Sequence, residues 1–224
     1  MGDIAQKEMK QLFQSGLKQL EISLDVLTLE KLVIYAGELE KWSRRINLIA
    51  RNTSPADVIE KHFLDSLTLL PFVGKHGSRQ ATLLDVGTGA GFPGLVLAVA
   101  LPALQVVLVE PRLKRVTFLR HIVRTLSLTN VEIIDLRLES VPGLQTKNID
   151  YVTSRAVAEP AVFLPMVAPM LDCGASVLLM LGPDQAAQWR GDSPLQDLQL
   201  EESRDVVLPF SGAKRTVCKL RQKK

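Results

Sequence analysis

The sequence predicts a mixed α/β fold: a mostly parallel sheet covered by helices on both faces and entered through a helical N-terminal segment. Three observations carry this expectation. From Thr82 onward, short β-prone runs alternate with runs of helical periodicity, as a parallel sheet with helical crossovers requires. The first such run, Leu83-Leu84-Asp85-Val86, breaks into glycines at positions 87, 89, 91 and 94 and then passes at once into the apolar run Leu95 to Leu101. Before it, residues 3–70 carry apolar side chains at three- and four-residue spacing.

Residues 1–72 are expected to form a helical N-terminal extension. One stripe is Ile4, Met9, Leu12, Phe13, Leu17 and Leu20, and a second is Leu29, Leu32, Val33, Ala36, Leu39 and Trp42. Ser54-Pro55-Ala56-Asp57 announces a third helix, with a capping hydroxyl, proline at the first turn and an acid at its third position. The turn-rich stretch Pro71 to Arg79 marks a junction, after which residues 80–224 form the α/β domain. Strands are predicted near 82–86, 105–110, 131–135, 149–154 and 175–181, and helices near 91–101, 112–127, 160–171 and 184–190. Leu198–Leu208 and Thr216–Leu220, separated by Pro209-Phe-Ser-Gly212, read as an antiparallel hairpin.

Composition narrows the class. At 224 residues, with 46% hydrophobic and 23% charged residues, the chain matches a globular protein, and no apolar run approaches the roughly 20 residues of a membrane helix. The first eight residues mix charges and lack an apolar signal core, so the expected location is the cytoplasm, with no membrane partner. Cys173 and Cys218 stand apart, and the three histidines are scattered, which predicts a reduced chain without a metal site. Net charge is only +3, but basic residues cluster at Lys41/Arg44/Arg45, Arg112/Lys114/Arg115, Arg120/Arg124 and Lys214/Arg215. Any one cluster is ordinary for a solvated helix face; together they suit a polyanion such as RNA.

The strand–glycine turn–helix unit is a ligand-binding edge. Glycine tolerates φ > 0 and removes the Cβ, so the backbone can approach a ligand that also faces the first N–H groups of the helix. Gly89-Ala-Gly91-Phe-Pro-Gly94 fits the dinucleotide pattern G-x-G-x-x-G. Asp85, two positions before Gly87, argues instead for S-adenosylmethionine, because a carboxylate there repels a pyrophosphate but attracts an α-ammonium and a sulfonium. The second expected strand ends at Glu110, about 20 residues past the turn, where an acid accepts both ribose hydroxyls of an adenosine; an ion pair with Arg112 or Lys114 is the competing role. Leu138 and Glu139, after the third strand, offer a cover and an edge contact for adenine.

With these residues in place, the chain resembles the RsmG (GidB) family of bacterial 16S ribosomal RNA guanine-N7 methyltransferases. The resemblance covers nearly the whole chain. It rests on Trp42, Asn47-Leu48, His62-Phe-Leu-Asp65-Ser66, the stretch Asp85 to Gly94, Lys114-Arg115, Phe118-Leu-Arg120, Arg137-Leu138-Glu139 and Ser154-Arg155-Ala156. It implies a Rossmann-like class I S-adenosylmethionine-dependent methyltransferase with a mostly parallel seven-stranded sheet and a helical N-terminal extension. Its cofactor would be S-adenosyl-L-methionine, and its partner 16S ribosomal RNA or the small ribosomal subunit, met as a monomer. The implied target is the N7 of the guanine at family position 527.

Residue by residue, the resemblance maps Gly87, Phe92, Leu138, Glu139 and Arg155 onto donor-site positions. Together with the reading of the turn, the expected donor set is Asp85, Gly87, Gly89, Gly91, Phe92, Glu110, Leu138, Glu139 and Arg155. His62, Asp65 and Arg155 are the candidates nearest the target base; Arg155 is open to a phosphate, the donor carboxylate or guanine O6. Arg44, Arg45, Arg51, Arg112, Lys114, Arg115, Lys214 and Arg215 are the candidates for RNA binding. The chain departs from the family at Met180-Leu181-Gly182, where a lysine commonly replaces Leu181; Lys214 or Arg215 would then supply that charge.

Guanine N7 attacks a methyl group with its own lone pair, so such an enzyme needs alignment and electrostatics rather than a general base. Three other readings stand beside this one: a methyltransferase acting on another RNA, a protein or a small molecule; a donor-binding RNA regulator without turnover; and a nicotinamide dehydrogenase, which would need a substrate domain that the chain has little room for.

Overall fold

The N-terminal helices follow local signals. In the computed structural model, which describes residues 3–50, 53–73, 80–144, 147–155, 160–189 and 198–223, helix α1 spans Asp3–Gln19 and α2 Val26–Ser43. Arg51, Ala156 and the 74–79 part of the expected junction lie outside the described residues. Asp25 caps α2 by accepting the Thr28 N–H at 2.8 Å, satisfying one of the orphan donors of the first turn. Of the apolar stripes, Met9, Phe13 and Leu17 on α1 and Leu29, Leu32, Val33, Ala36 and Leu39 on α2 are buried, Leu12, Leu20 and Trp42 are partly buried against them, and Ile4 is 77% exposed and takes no part in the core.

The third helix is irregular in a way that its sequence spacing hides. Ser54 caps α3 (Pro55–Val58), which runs into a π-helix (Ile59–Leu64) and then α4 (Asp65–Leu67) and α5 (Leu70–Val73). The stretch is buried nearly all round, including Ile59, Glu60, Phe63, Leu64, Asp65, Ser66 and Leu67, so no single stripe reveals the wider turn. A π turn in mid-helix commonly accompanies a functional site, and this one carries His62.

Seven strands follow: β1 Thr82–Val86, β2 Gln105–Val109, β3 Val131–Ile134, β4 Tyr151–Thr153, β5 Ser176–Leu181, β6 Leu198–Val207 and β7 Lys214–Gln222. Their order is β3-β2-β1-β4-β5-β7-β6. β1 to β5 run parallel, while β7 is antiparallel to both β5 and β6, as the expected terminal hairpin requires. The helices between them are α6 (Gly94–Ala100), α7 (Leu113–Thr125), α8 (Pro160–Asp172) and α9 (Pro183–Trp189). Helix α6 starts at Gly94 rather than the expected residue 91, because Gly91 sits at φ 99°, outside the helical region.

Chain order reverses between β1 and β4, and the carboxyl ends of strands at such a switch point form the ligand crevice of an open α/β sheet. One face of the sheet packs on α1, α2, the π-helix, α6 and α7; the other packs chiefly on α8. Phe13, Tyr35, Phe63, Phe92 and Phe118 belong to the first core, so the N-terminal helices share one continuous interior with the sheet. No helix among the described residues is long and apolar enough to cross a membrane.

Candidate active site

The glycine turn is built by groups beneath it. Gly87 and Gly89 both sit at φ 64°, a backbone region that side-chain-bearing residues rarely adopt. Asp85 is fully buried, and its Oδ2 accepts the Thr88 hydroxyl at 2.6 Å and the Gly94 N–H at 2.8 Å. It therefore ties the end of β1 to the start of α6 and does not line the cavity above, contrary to the donor contact expected of it. Burial, opposed by these two hydrogen bonds, pushes its carboxyl up to about 6. Gly91 also departs from expectation. A Cβ on it would meet the Tyr35 hydroxyl and Leu95, so it serves close packing rather than ligand approach. Tyr35 comes from α2 and donates to the Ala90 carbonyl, joining the N-terminal helices to the turn.

Above the turn lies a cavity of about 430 Å³. Gly87, Gly89, Phe92, Glu110, Leu138, Glu139 and Arg155 line it, all of them expected there from sequence. Glu110 is 2% exposed; its Oε2 accepts the Gly89 N–H and its Oε1 the Arg112 N–H, each at 2.9 Å. Its side-chain ion partner is Arg115, at 3.5 Å, rather than Arg112 or Lys114. Oε1 keeps a second lone pair for a ligand hydroxyl, while Oε2 shares its second with Arg115 across the longer 3.5 Å contact. Arg112 and Arg115, expected among the RNA-binding residues, line this cavity as well. The bare Gly89 position faces only Arg115 Nη1 at 3.7 Å and the Gly87 carbonyl at 4.0 Å, so a ligand can approach the backbone there. These features fit an adenosyl ligand.

A second cavity, also about 430 Å³, shares His62 and Arg155 with the first and adds Asp65, Phe163, Leu181, Gln185 and Arg215. Asp65, 2% exposed, is clamped between two guanidiniums: Arg215 Nε donates to Oδ1 at 2.9 Å, and Arg155 Nη1 stands 3.7 Å from Oδ2. Burial raises its carboxyl above the usual range against the pull of both arginines. Arg155 Nη2 lies 2.7 Å from His62 Nδ1, and its guanidinium stands 5.0 Å from the Phe92 ring centre. Phe92 in turn stacks between His62, at 5.0 Å, and Tyr35, at 5.6 Å. Burial first, then the charges of Arg155 and Lys61, pulls His62 down to about 3. The imidazole is thus neutral at neutral pH. Because a guanidinium only donates, Nδ1 is the acceptor and the ring proton sits on Nε2.

These shifts have opposite linkage signs. Between pH 3 and 6.5 the unfolded chain binds the His62 proton and the folded chain does not, so this term makes stability rise with pH. Between pH 3.8 and about 6 the folded chain holds a proton on Asp85 that the unfolded chain releases, so that term makes stability fall. In urea denaturation from pH 4 to 6, His62→Gln should therefore change the slope of stability with pH, relative to the parent, by up to about −1.4 kcal/mol per pH unit. Identical slopes would show that His62 is not held neutral by its surroundings.

The remaining basic candidates are dispersed. Arg44, paired with Glu40 at 2.8 Å, and Arg45 line a third cavity of about 440 Å³ against α1, which contains none of the residues of the first two. Size alone does not distinguish it; the bare glycine backbone and the buried charges do. Lys114 and Lys214 are exposed, the latter next to Arg215. Arg215 brings its charge from β7 to the cavity that Leu181 lines, with Nη1 3.8 Å from the position of a Cβ on Gly182. Tyr35 went unnoticed as a site residue, although it sits at helical spacing from Leu32 and Leu39, where a buried hydroxyl requires an acceptor.

A glycine turn after β1, an acid at the end of β2, and a seven-stranded sheet whose last strand is antiparallel to β5 define a Rossmann-like class I S-adenosylmethionine-dependent methyltransferase. An S-adenosylmethionine-dependent methyltransferase of Aquifex aeolicus shares this fold with a TM-score of 0.53 at 17% identity, over 83% of this chain and 98% of that one. Residues 28–218 match the family described as rRNA small subunit methyltransferase G, and the chain belongs to that family. Proteins named ribosomal RNA small subunit methyltransferase G are 44% identical in Desulfotalea psychrophila, over 92% of this chain and 95% of that protein, and 36% identical in Chromohalobacter salexigens, over 93% and 95%.

Proposed function

We propose that this chain transfers a methyl group from S-adenosylmethionine to the N7 of a guanine in 16S ribosomal RNA, at the position equivalent to family position 527. The donor occupies the cavity above the glycine turn and the guanine the cavity beside it. The observation that carries this reading is the pair of cavities that share His62 and Arg155 as their common wall. Residues 1–72 act as an extension that closes the site, and residues 80–224 as the methyltransferase unit.

Bound S-adenosylmethionine supplies an electrophilic methyl on a sulfonium. The chain's own residues hold and align. Glu110, with Gly89 and Arg112 fixing its carboxylate, receives the ribose hydroxyls, and Leu138 with Glu139 lies where adenine rests. In the transfer, the N7 lone pair forms the new carbon–nitrogen bond as the carbon–sulfur bond breaks, and no proton leaves the base. The site suits such a step. His62 has its Nδ1 lone pair engaged by Arg155, and Asp65 has both oxygens facing guanidiniums. Neither is free to act as a base; both set the arginines in place.

Glu110→Ala should weaken S-adenosylmethionine by roughly 1.5–3 kcal/mol, about tenfold to a hundredfold, the scale for hydrogen bonds to a charged group. Titration calorimetry with unchanged affinity would remove Glu110 from the donor site. Methyl transfer is tested on 16S ribosomal RNA and small subunits against RNA depleted of ribosomal RNA. Transfer confined to the ribosomal substrates supports the proposal, and equal transfer to the depleted RNA contradicts it.

A further inference from the structure

The π-helix at Glu60 and the first residue of α4, Asp65, hold the terminal hairpin at two points, and only the second of them touches the substrate cavity. Asp65 accepts Arg215 of β7, as described. One π turn earlier, Glu60 is 1% exposed, and its Oε1 accepts the backbone N–H groups of Phe210 and of Ser211, the latter at 2.9 Å. These two N–H groups belong to the β6–β7 turn, which is closed by Leu208 N–H to the Ala213 carbonyl at 2.8 Å and Gly212 N–H to the Leu208 carbonyl at 3.1 Å. The Asp65 N–H bonds to the Glu60 carbonyl, an i to i+5 link that places the two residues one above the other on the same side. In a regular α-helix, residues five apart diverge by about 140° around the axis, so both carboxylates could not face one hairpin.

We infer that Glu60 is a positioning residue: it docks the hairpin turn on the π-helix and thereby sets Arg215 against Asp65 in the substrate cavity. This rests on the reading that the second cavity receives the RNA base. Pairing of β7 to β5 ends at Thr216, opposite Leu181, so Arg215 and the turn beyond it overhang the end of β5 and pair only with β6, the outer strand among the described residues; the position of this overhang depends on the turn contact. An uncharged turn anchor would accept the same N–H groups more weakly, since hydrogen bonds to an ionised acceptor are about twice as strong as neutral ones.

The test is a double-mutant cycle between Glu60→Ala and Arg215→Ala, read as kcat/KM for 16S ribosomal RNA in small subunits, together with the affinity for S-adenosylmethionine. Glu60→Ala is expected to lower kcat/KM about tenfold and leave donor affinity within about twofold. In the Arg215→Ala background it should have almost no further effect, because contacts in one chain of action are not additive. Glu60→Gln, which keeps an oxygen acceptor and so the fold, should lose less in the same pattern. A second readout is independent of turnover: the Arg215 Nε–H resonance, expected to exchange slowly in the parent, should lose its protection in Glu60→Ala and part of it in Glu60→Gln. Losses that multiply in the double variant, or unchanged Arg215 Nε–H protection in a folded Glu60 variant, would overturn the inference. Absence of transfer by the parent protein would instead overturn the assignment of substrate while leaving the resonance test to decide on Glu60.

Discussion

Gly89→Val is expected to abolish S-adenosylmethionine binding in a chain that still folds. Gly89 sits at φ 64°, where a β-branched residue is strained by about 1–3 kcal/mol. A Cβ there meets no packed wall, only Arg115 Nη1 at 3.7 Å, so the fold has room for it. The side chain would instead fill the space that the bare backbone opens to the donor, and a distorted turn would misplace the N–H that steadies Glu110 at 2.9 Å. The effect on binding therefore exceeds the effect on stability. Calorimetric titration of the folded variant measures it, and parent-like affinity would move the donor away from this turn.

Asp65→Asn is expected to have the next largest effect, on both stability and turnover. Removing one member of a buried charge cluster strands the others, at about 3–5 kcal/mol when all are fully buried. The side chains of Arg155 and Arg215 remain 20% and 26% exposed, which puts the loss near the lower end, about 3 kcal/mol. The Asn amide presents donors to two groups that only donate, so at least one guanidinium turns away. Arg155 then no longer engages His62 Nδ1, and the common wall of the two cavities loosens. Methyl transfer should fall about a hundredfold, the scale of one lost preorganised electrostatic partner, while donor affinity falls much less. Urea denaturation and steady-state turnover check the two parts. A stable, active Asp65→Asn protein would show that the guanidiniums are placed without it.

Much of this was legible in the sequence because it is local. The capped helix start at Ser54, the glycine turn, the acid at the end of β2 and the terminal hairpin each follow from residues within a short span. What escaped reading depends on distant pairing or on a buried environment. Asp65 and Arg215 are 150 positions apart, and Glu60 and Ser211 are 151, so no spacing rule couples them. The π turn left no trace in periodicity, because residues on nearly every side of that helix are buried. Asp85 has the same place at the end of β1 whether it faces a ligand or the turn beneath it; only the hydrogen bonds to Thr88 and Gly94 distinguish the two. Arg112 and Arg115 likewise read as part of a basic run, whereas the curl of the chain past Glu110 brings them to the cavity above the glycine turn.

Whether the shared wall of His62 and Arg155 presents the methyl of S-adenosylmethionine to a guanine N7 is tested by locating the methyl group. Small subunits from cells lacking this protein are incubated with it and with S-adenosylmethionine carrying a deuterated methyl, and the 16S ribosomal RNA is digested and analysed by mass spectrometry. A single labelled nucleoside, 7-methylguanosine, is expected at one position, and none when Arg155→Ala replaces the parent. A label on any other atom or nucleoside, or donor binding without any labelled RNA, would contradict that role.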